Sequence, residues 1–169
     1  ADSMIFRAFL DNYSDNYNAN WNEFNYNGRG ESFYTYNNFN RELGFSFKIA
    51  AQSRWEMMPL YRKLNFLVSN TAPEYKGTRM RGPFVKLTIG SMIDRVPGFF
   101  TSIGLSWKTD YPWEITVDGP ELGGTKDLLV LPHVSDVQCS FTPVHNFIPQ
   151  KSITHSPFIL PHEANRHLR

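Results

Sequence analysis

Apolar and polar residues alternate with a period of two over much of this chain, and the pattern turns helical once. The clearest alternation lies between Ser32 and Ala50, where Leu43, Phe45, Phe47 and Ile49 interleave with Gly44, Ser46 and Lys48. Successive side chains of a strand point to opposite faces, so this segment predicts a strand with one face buried. Tyr34 and Tyr36 predict a strand on the other side of Asn37-Asn38. Val85, Leu87 and Ile89 predict a strand from Phe84 to Ile89. Ile103, Leu105 and Trp107 do so for Ser102 to Trp107, and Val137, Cys139 and Phe141 for Val134 to Thr142. Met4 to Leu10, apolar in both registers apart from Arg7, predicts a strand near a buried surface. After Ser53 the period changes. Leu60, Tyr61, Leu64, Leu67 and Val68 stand at the spacings of an amphipathic helix. Ser53 with Glu56 has the form of a capping box, and Thr71-Ala72-Pro73 ends the element. Pro59 either sits in the first turn of a helix that starts there or kinks a longer one.

Between these elements the punctuation is plain. Asn12 to Asn27 is rich in Asn, with Tyr13, Tyr17, Trp21, Phe24 and Tyr26 spaced through it. Asn favours turns, but regular aromatics argue for an extended, one-sided surface segment. Gly28-Arg29-Gly30 predicts a turn, Met92 to Gly98 a short excursion closed by Pro97-Gly98, and Gly119-Pro120 with Gly123-Gly124 a loop followed by the apolar run Leu128 to Leu131. Beyond Pro143 the periodicity decays. Pro143, Pro149, Pro157 and Pro161 predict an extended arm that gains order by lying on a neighbour. The division is a β domain over 1–147 and an arm over 148–169. About seven strands and one helix give a mainly β (α+β) class, an antiparallel sandwich or half-barrel with one flanking helix. The expected core is Phe45, Phe47, Leu60, Leu64, Leu67, Leu87 and Trp107, with the helix stripe on the sheet face.

Composition changes this picture little. The 169 residues suit one domain with a real core. Aromatics reach 15%, which favours strands and interfaces. The formal charge of +1 gives no overall push toward nucleic acid or membrane, and no apolar run approaches the ~20 residues of a membrane span. A single cysteine, Cys139, suits a reducing cytoplasm. A chain that opens Ala1-Asp2-Ser3 and runs straight into strand-like sequence reads as processed, or as part of a longer polypeptide.

No candidate chemistry survives its spacing test, and no catalytic, cofactor or metal residue is expected. His162 and His167 are five apart, about 140° around a helix, so they do not share the face that a zinc-protease pair needs. The other histidines, His133, His145 and His155, match no ligand pattern and read as surface or interface residues. Cys139 within a strand reads as structural. Gly28-Arg29-Gly30 lacks the third glycine and the helix of a dinucleotide loop. The one charged feature is the basic cluster Lys76, Arg79, Arg81, Lys86 and Arg95, with Asp94 the only acid in that window. It reads as a solvated loop, as salt-bridge donors to an adjacent subunit, or as a contact to DNA.

One resemblance rests on a series of segments. Ser53-Arg54-Trp55-Glu56-Met57-Met58-Pro59-Leu60-Tyr61 and Leu64-Asn65-Phe66-Leu67 are followed by Thr71-Ala72-Pro73-Glu74-Tyr75. Then come Met80 to Gly90, Pro97-Gly98-Phe99, Ile103 to Trp107, Pro112 to Ile115, Leu131 to Val134 and Phe141 to His145. This order resembles the tail-tube-like domain of baseplate tube-initiator and tube-cap proteins of contractile-tailed bacteriophages, over residues 29–147. The resemblance implies a hexameric ring at the junction of baseplate and tail tube in the virion. Its joined sheets would line a channel for the tape-measure protein and later DNA. Partners would be the hub, the tube protein and outer sheath or wedge proteins, with no cofactor, no membrane and assembly in the host cytoplasm. The alternatives are the major tail tube protein and, from another class, a single-stranded nucleic-acid-binding β-domain.

Overall fold

The computed structural model describes residues 3–114, 130–151 and Phe158. The class is mainly β and antiparallel with one helix. Among the described residues seven strands and a helix follow in the order β1 (Phe9–Phe24), β2 (Phe33–Ala50), α1 (Arg54–Ser69), β3 (Glu74–Lys76), β4 (Arg79–Arg81), β5 (Val85–Ile89), β6 (Ile93–Trp107) and β7 (Val134–Pro143). Five strands form one sheet in the order β1-β2-β7-β6-β5, every neighbour antiparallel, while β3 and β4 form a separate hairpin. The loop expected at Gly119 to Gly124, residues Leu128 and Leu129, most of the C-terminal arm, and His155, His162 and His167 lie outside the described residues.

The core sits on one face of the central strands. Leu43, Phe45, Phe47 and Ile49 of β2 are buried, as are Val137, Cys139 and Phe141 of β7 and Ile93 of β6. The period-two alternation of β2 and β7 puts these side chains on one surface, and α1 lays Leu64 and Leu67 into the same cluster. Leu60 and Leu87 lie partly buried against it, with Val85, Ile89, Ile103 and Leu105. Phe45, Phe47, Leu64 and Leu67 are less than a tenth exposed. Burying a side chain of this size contributes about 1.5–3 kcal/mol.

Trp107 corrects the expected core, for it is 47% exposed. The residue ends β6, where among the described residues β7 alone supplies a strand partner, Ser135, because β5 pairs with β6 only as far as Gly98. Alternation gives it the inward face, but at the end of the strand that face is only partly covered.

The Pro97-Gly98 turn is a second correction. β6 runs unbroken through both residues, Pro97 opposite Lys86 and Gly98 between Val85 and Pro143. Glycine is required for space, since a Cβ at position 98 would come within 2.6 Å of Phe141 Cζ. The break at Asn37-Asn38 is likewise absent, and β2 passes through it as one strand. Met4 and Phe6 cover the core without strand pairing, Phe6 packing on Phe47 at 5.5 Å between ring centroids. Lys63 Nζ donates to Ile5 O at 3.0 Å and holds that segment on the helix.

The helix starts at Arg54, five residues before Pro59, which it carries inside. Proline has no N–H, so the Trp55 carbonyl has no intrahelical donor. Ser53 is the N-cap residue but its hydroxyl makes no capping bond. Glu56 instead reaches back, its Oε2 accepting the Gln52 N–H at 2.9 Å.

Candidate functional site

The β1–β2 hairpin is far longer than the sheet it belongs to. β2 pairs with β7 only from Leu43 to Ala50, so among the described residues Phe33 to Glu42 have β1 as their one strand neighbour. Asn16–Phe24 and Phe33–Glu42 therefore form a two-stranded ribbon standing out from the sheet. Its register gives it two unlike faces. Asn16, Asn18, Asn20 and Asn22 share one face with Glu42, Asn40, Asn38 and Thr35. An amide ladder bond, Asn20 Nδ2 donating to Asn38 Oδ1 at 2.6 Å, crosses this face. Tyr17, Ala19 and Trp21 share the other with Arg41, Phe39, Tyr36 and Tyr34, the residue skipped at Asn37 keeping Tyr36 opposite Trp21. That aromatic face continues the core face of β2 outward, since Arg41 and Phe39 precede Leu43 and Phe45 in the same alternation.

Along this face cover decreases with distance from the sheet. At the root, Arg41 is buried and holds Asp15 with two bonds, Nε–Oδ1 at 2.9 Å and Nη2–Oδ2 at 2.6 Å. Tyr17 Oη donates to Asp15 Oδ2 at 2.7 Å, and the Arg41 guanidinium stacks over the Tyr17 ring at 5.0 Å. Burial, followed by donation to Asp15, raises the Tyr17 phenol above its usual value. A charge so far out of water is tolerated only because the carboxylate and π-face satisfy it.

Phe158 closes this root. Its carbonyl accepts from Arg41 Nη2 at 3.1 Å, and its ring sits 5.8 Å from Tyr17 edge-on, 5.6 Å from Phe39, and 6.0 Å from both His145 and Phe147. These are separations at which aromatic pairs attract. Beneath it lies a cleft of about 150 Å³ lined by Tyr13, Asp15, Tyr17, Arg41 and Ile93. Two buried polar atoms in this region, Tyr13 Oη and His145 Nε2, have no hydrogen-bond partner among the described residues. Burial, and then the positive charge of Arg41, lower the His145 imidazole below its ordinary range. Farther out, Trp21 and Tyr36 pair edge to face at 5.1 Å but remain 57% and 53% exposed. The tip is tied by Phe24, Tyr26 and Phe33, with Arg29 over the Phe33 ring at 5.0 Å.

The basic residues are placed elsewhere and apart. Lys76 and Arg79 face each other across the β3–β4 hairpin, while Arg81 stands opposite Glu74, an acid just outside the window read from the sequence. Lys86 projects from the exposed face of β5. Lys76, Arg79, Arg81 and Lys86 are all exposed, and among the described residues none forms an ion pair. Arg95 pairs with its neighbour Asp94 at 3.5 Å.

A third cluster joins the helix start to the strand β7 entry. Arg54 bonds Glu114 at 2.8 Å, and His133 sits between Glu114 Oε2 and Ala51 O at 3.1 Å each. The Arg54 bond, with help from His133, lowers the Glu114 carboxyl. Here His133 ties three segments together. Cys139 is buried among core side chains, which push its thiol up to about 12 and leave it protonated. Among the described residues no cluster has the ligands for a metal ion.

The sequence pointed to a strand at Tyr34 and Tyr36 and to an extended, one-sided surface segment over residues 12–27, which the structure makes most of strand β1, but not to the seat of Phe158. The signal for a two-faced ribbon was present as Asn at every second position from Asn16 to Asn22. No family model matches this chain, and no curated protein matches it significantly.

Proposed function

We propose that the chain is a non-enzymatic structural subunit of a contractile bacteriophage tail, forming a six-membered ring at the junction of baseplate and tail tube. The observation that carries the reading is the pair of open sheet edges. Among the described residues no strand lies beyond β1 along its length, and Phe99 to Trp107 of β6 pair on one side only. Long open edges favour pairing with another chain. One edge joined to the other in head-to-tail copies gives a ring when the rotation closes. The number six, the channel for tape-measure protein and DNA, and hub, tube, sheath and wedge neighbours come from the segment resemblance alone. So does the preference for an initiator over the major tube protein, which copy number per virion separates.

A single-strand nucleic-acid reading draws on the exposed rings of Trp21, Tyr34 and Tyr36. On that face Trp21 stands opposite Tyr36 and Tyr34 opposite the acid Glu23, with no lysine or arginine in those pairs, which disfavours a phosphate track.

A cross-linking experiment tests the ring. Asn16→Cys on β1 and Ser102→Cys on β6, in a Cys139→Ala background, are bridged with a bis-maleimide shorter than ~10 Å. Within one subunit three strand spacings, about 14 Å, separate these strands. A ladder of interchain products ending at six is expected from assembled particles. Monomer alone, from particles whose thiols react, would contradict the edge-to-edge ring.

A further inference from the structure

Asparagine recurs seven times between Asn12 and Asn27, and only Asn27 is followed by glycine. We propose that Asn27-Gly28, at the tip of the β1–β2 ribbon, is a modification site, where the folded chain loses the Asn27 carboxamide and is left with aspartate or isoaspartate.

Three observations carry the assignment. The first is room. The reaction brings the Gly28 amide nitrogen onto Asn27 Cγ. Gly28 has no side chain to crowd that nitrogen, a Cβ built there would meet nothing within 4 Å, and both residues are exposed. The second is that the reacting groups are free. Among the described residues no hydrogen bond engages the Asn27 carboxamide or the Gly28 N–H. The third is the backbone. Ring closure needs the Asn27–Gly28 peptide to rotate toward the Asn27 side chain. One turn bond, Arg29 N–H to Tyr26 O at 3.2 Å, spans that peptide, and Gly28 has a φ of 87°, in the region that glycine enters without strain. Asn16, Asn18, Asn20 and Asn22 are instead held extended by pairing with β2, and Asn20 Nδ2 is engaged on Asn38 Oδ1. Exposed tips of this kind are where a chain yields most readily to change.

Hydroxide takes the Gly28 amide proton, and the nitrogen bonds Asn27 Cγ. The carboxamide C–N bond breaks, and ammonia leaves with a proton from water, which restores the hydroxide. Water then opens the five-membered imide at either carbonyl. One opening gives aspartate, and the other gives isoaspartate with the main chain routed through Cβ. Either product sets a carboxylate two residues from Arg29, whose guanidinium lies over Phe33 at 5.0 Å, and cancels the formal +1 of the chain. Isoaspartate also adds a carbon to the main chain of the turn beside the Phe24, Tyr26 and Phe33 rings. The tip thus gains negative charge with age.

The test ages full-length wild type and Asn27→Gln, both folded, at mildly alkaline pH. Trypsin then cuts after Arg7 and Arg29, and electron-transfer fragmentation reads the peptide of residues 8–29, which carries all seven asparagines. More conversion at Asn27 than at the other six together is expected, with isoaspartate among the products and no matching acidic variant from Asn27→Gln, whose ring would have six members. An Asn27 that stays intact in the folded chain would overturn the proposal, whether or not the urea-unfolded chain converts there. Aspartate without isoaspartate would overturn it too, as the mark of direct hydrolysis, and so would conversion spread evenly over the seven positions.

Discussion

The two halves of the β1–β2 hairpin share one strand pattern and have opposite fates. From Leu43 to Ala50, β2 is flanked by β1 and β7, and its inward side chains lie under Leu64 and Leu67. From Phe33 to Glu42 the same strand keeps one neighbour among the described residues, and its corresponding side chains Tyr34 and Tyr36 are exposed. Alternation dictates which side chains share a face. What lies over that face is decided by the third dimension, by where α1 ends and where Phe158 lands. The inner half is therefore a stability element, whereas the outer half leaves aromatic side chains exposed.

The contrast can be broken most sharply at the helix. Leu64→Asp would bury an unpaired charge in the cluster beneath α1, at a cost of several kcal/mol, about 4 or more. No soluble, cooperatively unfolding protein is expected, and a folded variant by circular dichroism and denaturant titration would refute the packing. The boundary between the halves ranks next. Asp15→Ala removes the partner of buried Arg41 and should cost roughly 3 kcal/mol in urea unfolding. A loss below ~1 kcal/mol would mean that water reaches the guanidinium. On the outer half, Trp21→Ala removes one edge-to-face pair and should cost about 1 kcal/mol. A loss as large as that of a core truncation would erase the distinction between the halves.

The smallest effect concerns pH. The ordinary imidazole value is 6.5, and His145 is held below it in the folded protein by burial and Arg41, with Asp15 opposing. The unfolded chain then takes up a proton first as pH falls. The contribution is thus complete above about pH 6.5 and is lost on descent toward the depressed folded value. Wild type should lose more stability than His145→Phe between pH 7 and pH 5, and equal slopes would remove His145 from the balance.

Local periodicity made the inner half legible. Phe45, Phe47, Val137 and Phe141 alternate, and Leu60, Leu64 and Leu67 keep helical spacing, so faces follow from chain geometry. Trp107 shows where that logic ends. Its phase is right but its face is only half covered, because the residue stands at the end of β6, beyond the reach of β5. Pro97-Gly98 shows a different limit, because a turn-forming pair is used inside a strand to make room for Phe141. The Phe158 seat brings Tyr17 and Phe158 together across most of the chain, and no local pattern encodes such a contact. The basic residues were visible, but their distribution over a hairpin and a separate strand was not.

The proposed ring requires the open edges of one copy to meet those of the next. Electron microscopy of the native assembly tests it most directly. A six-fold ring with a central channel, β1 of each copy beside β6 of the next, is the predicted result. A monomer bound to a small ligand, or a ring whose subunits meet away from both edges, would contradict it.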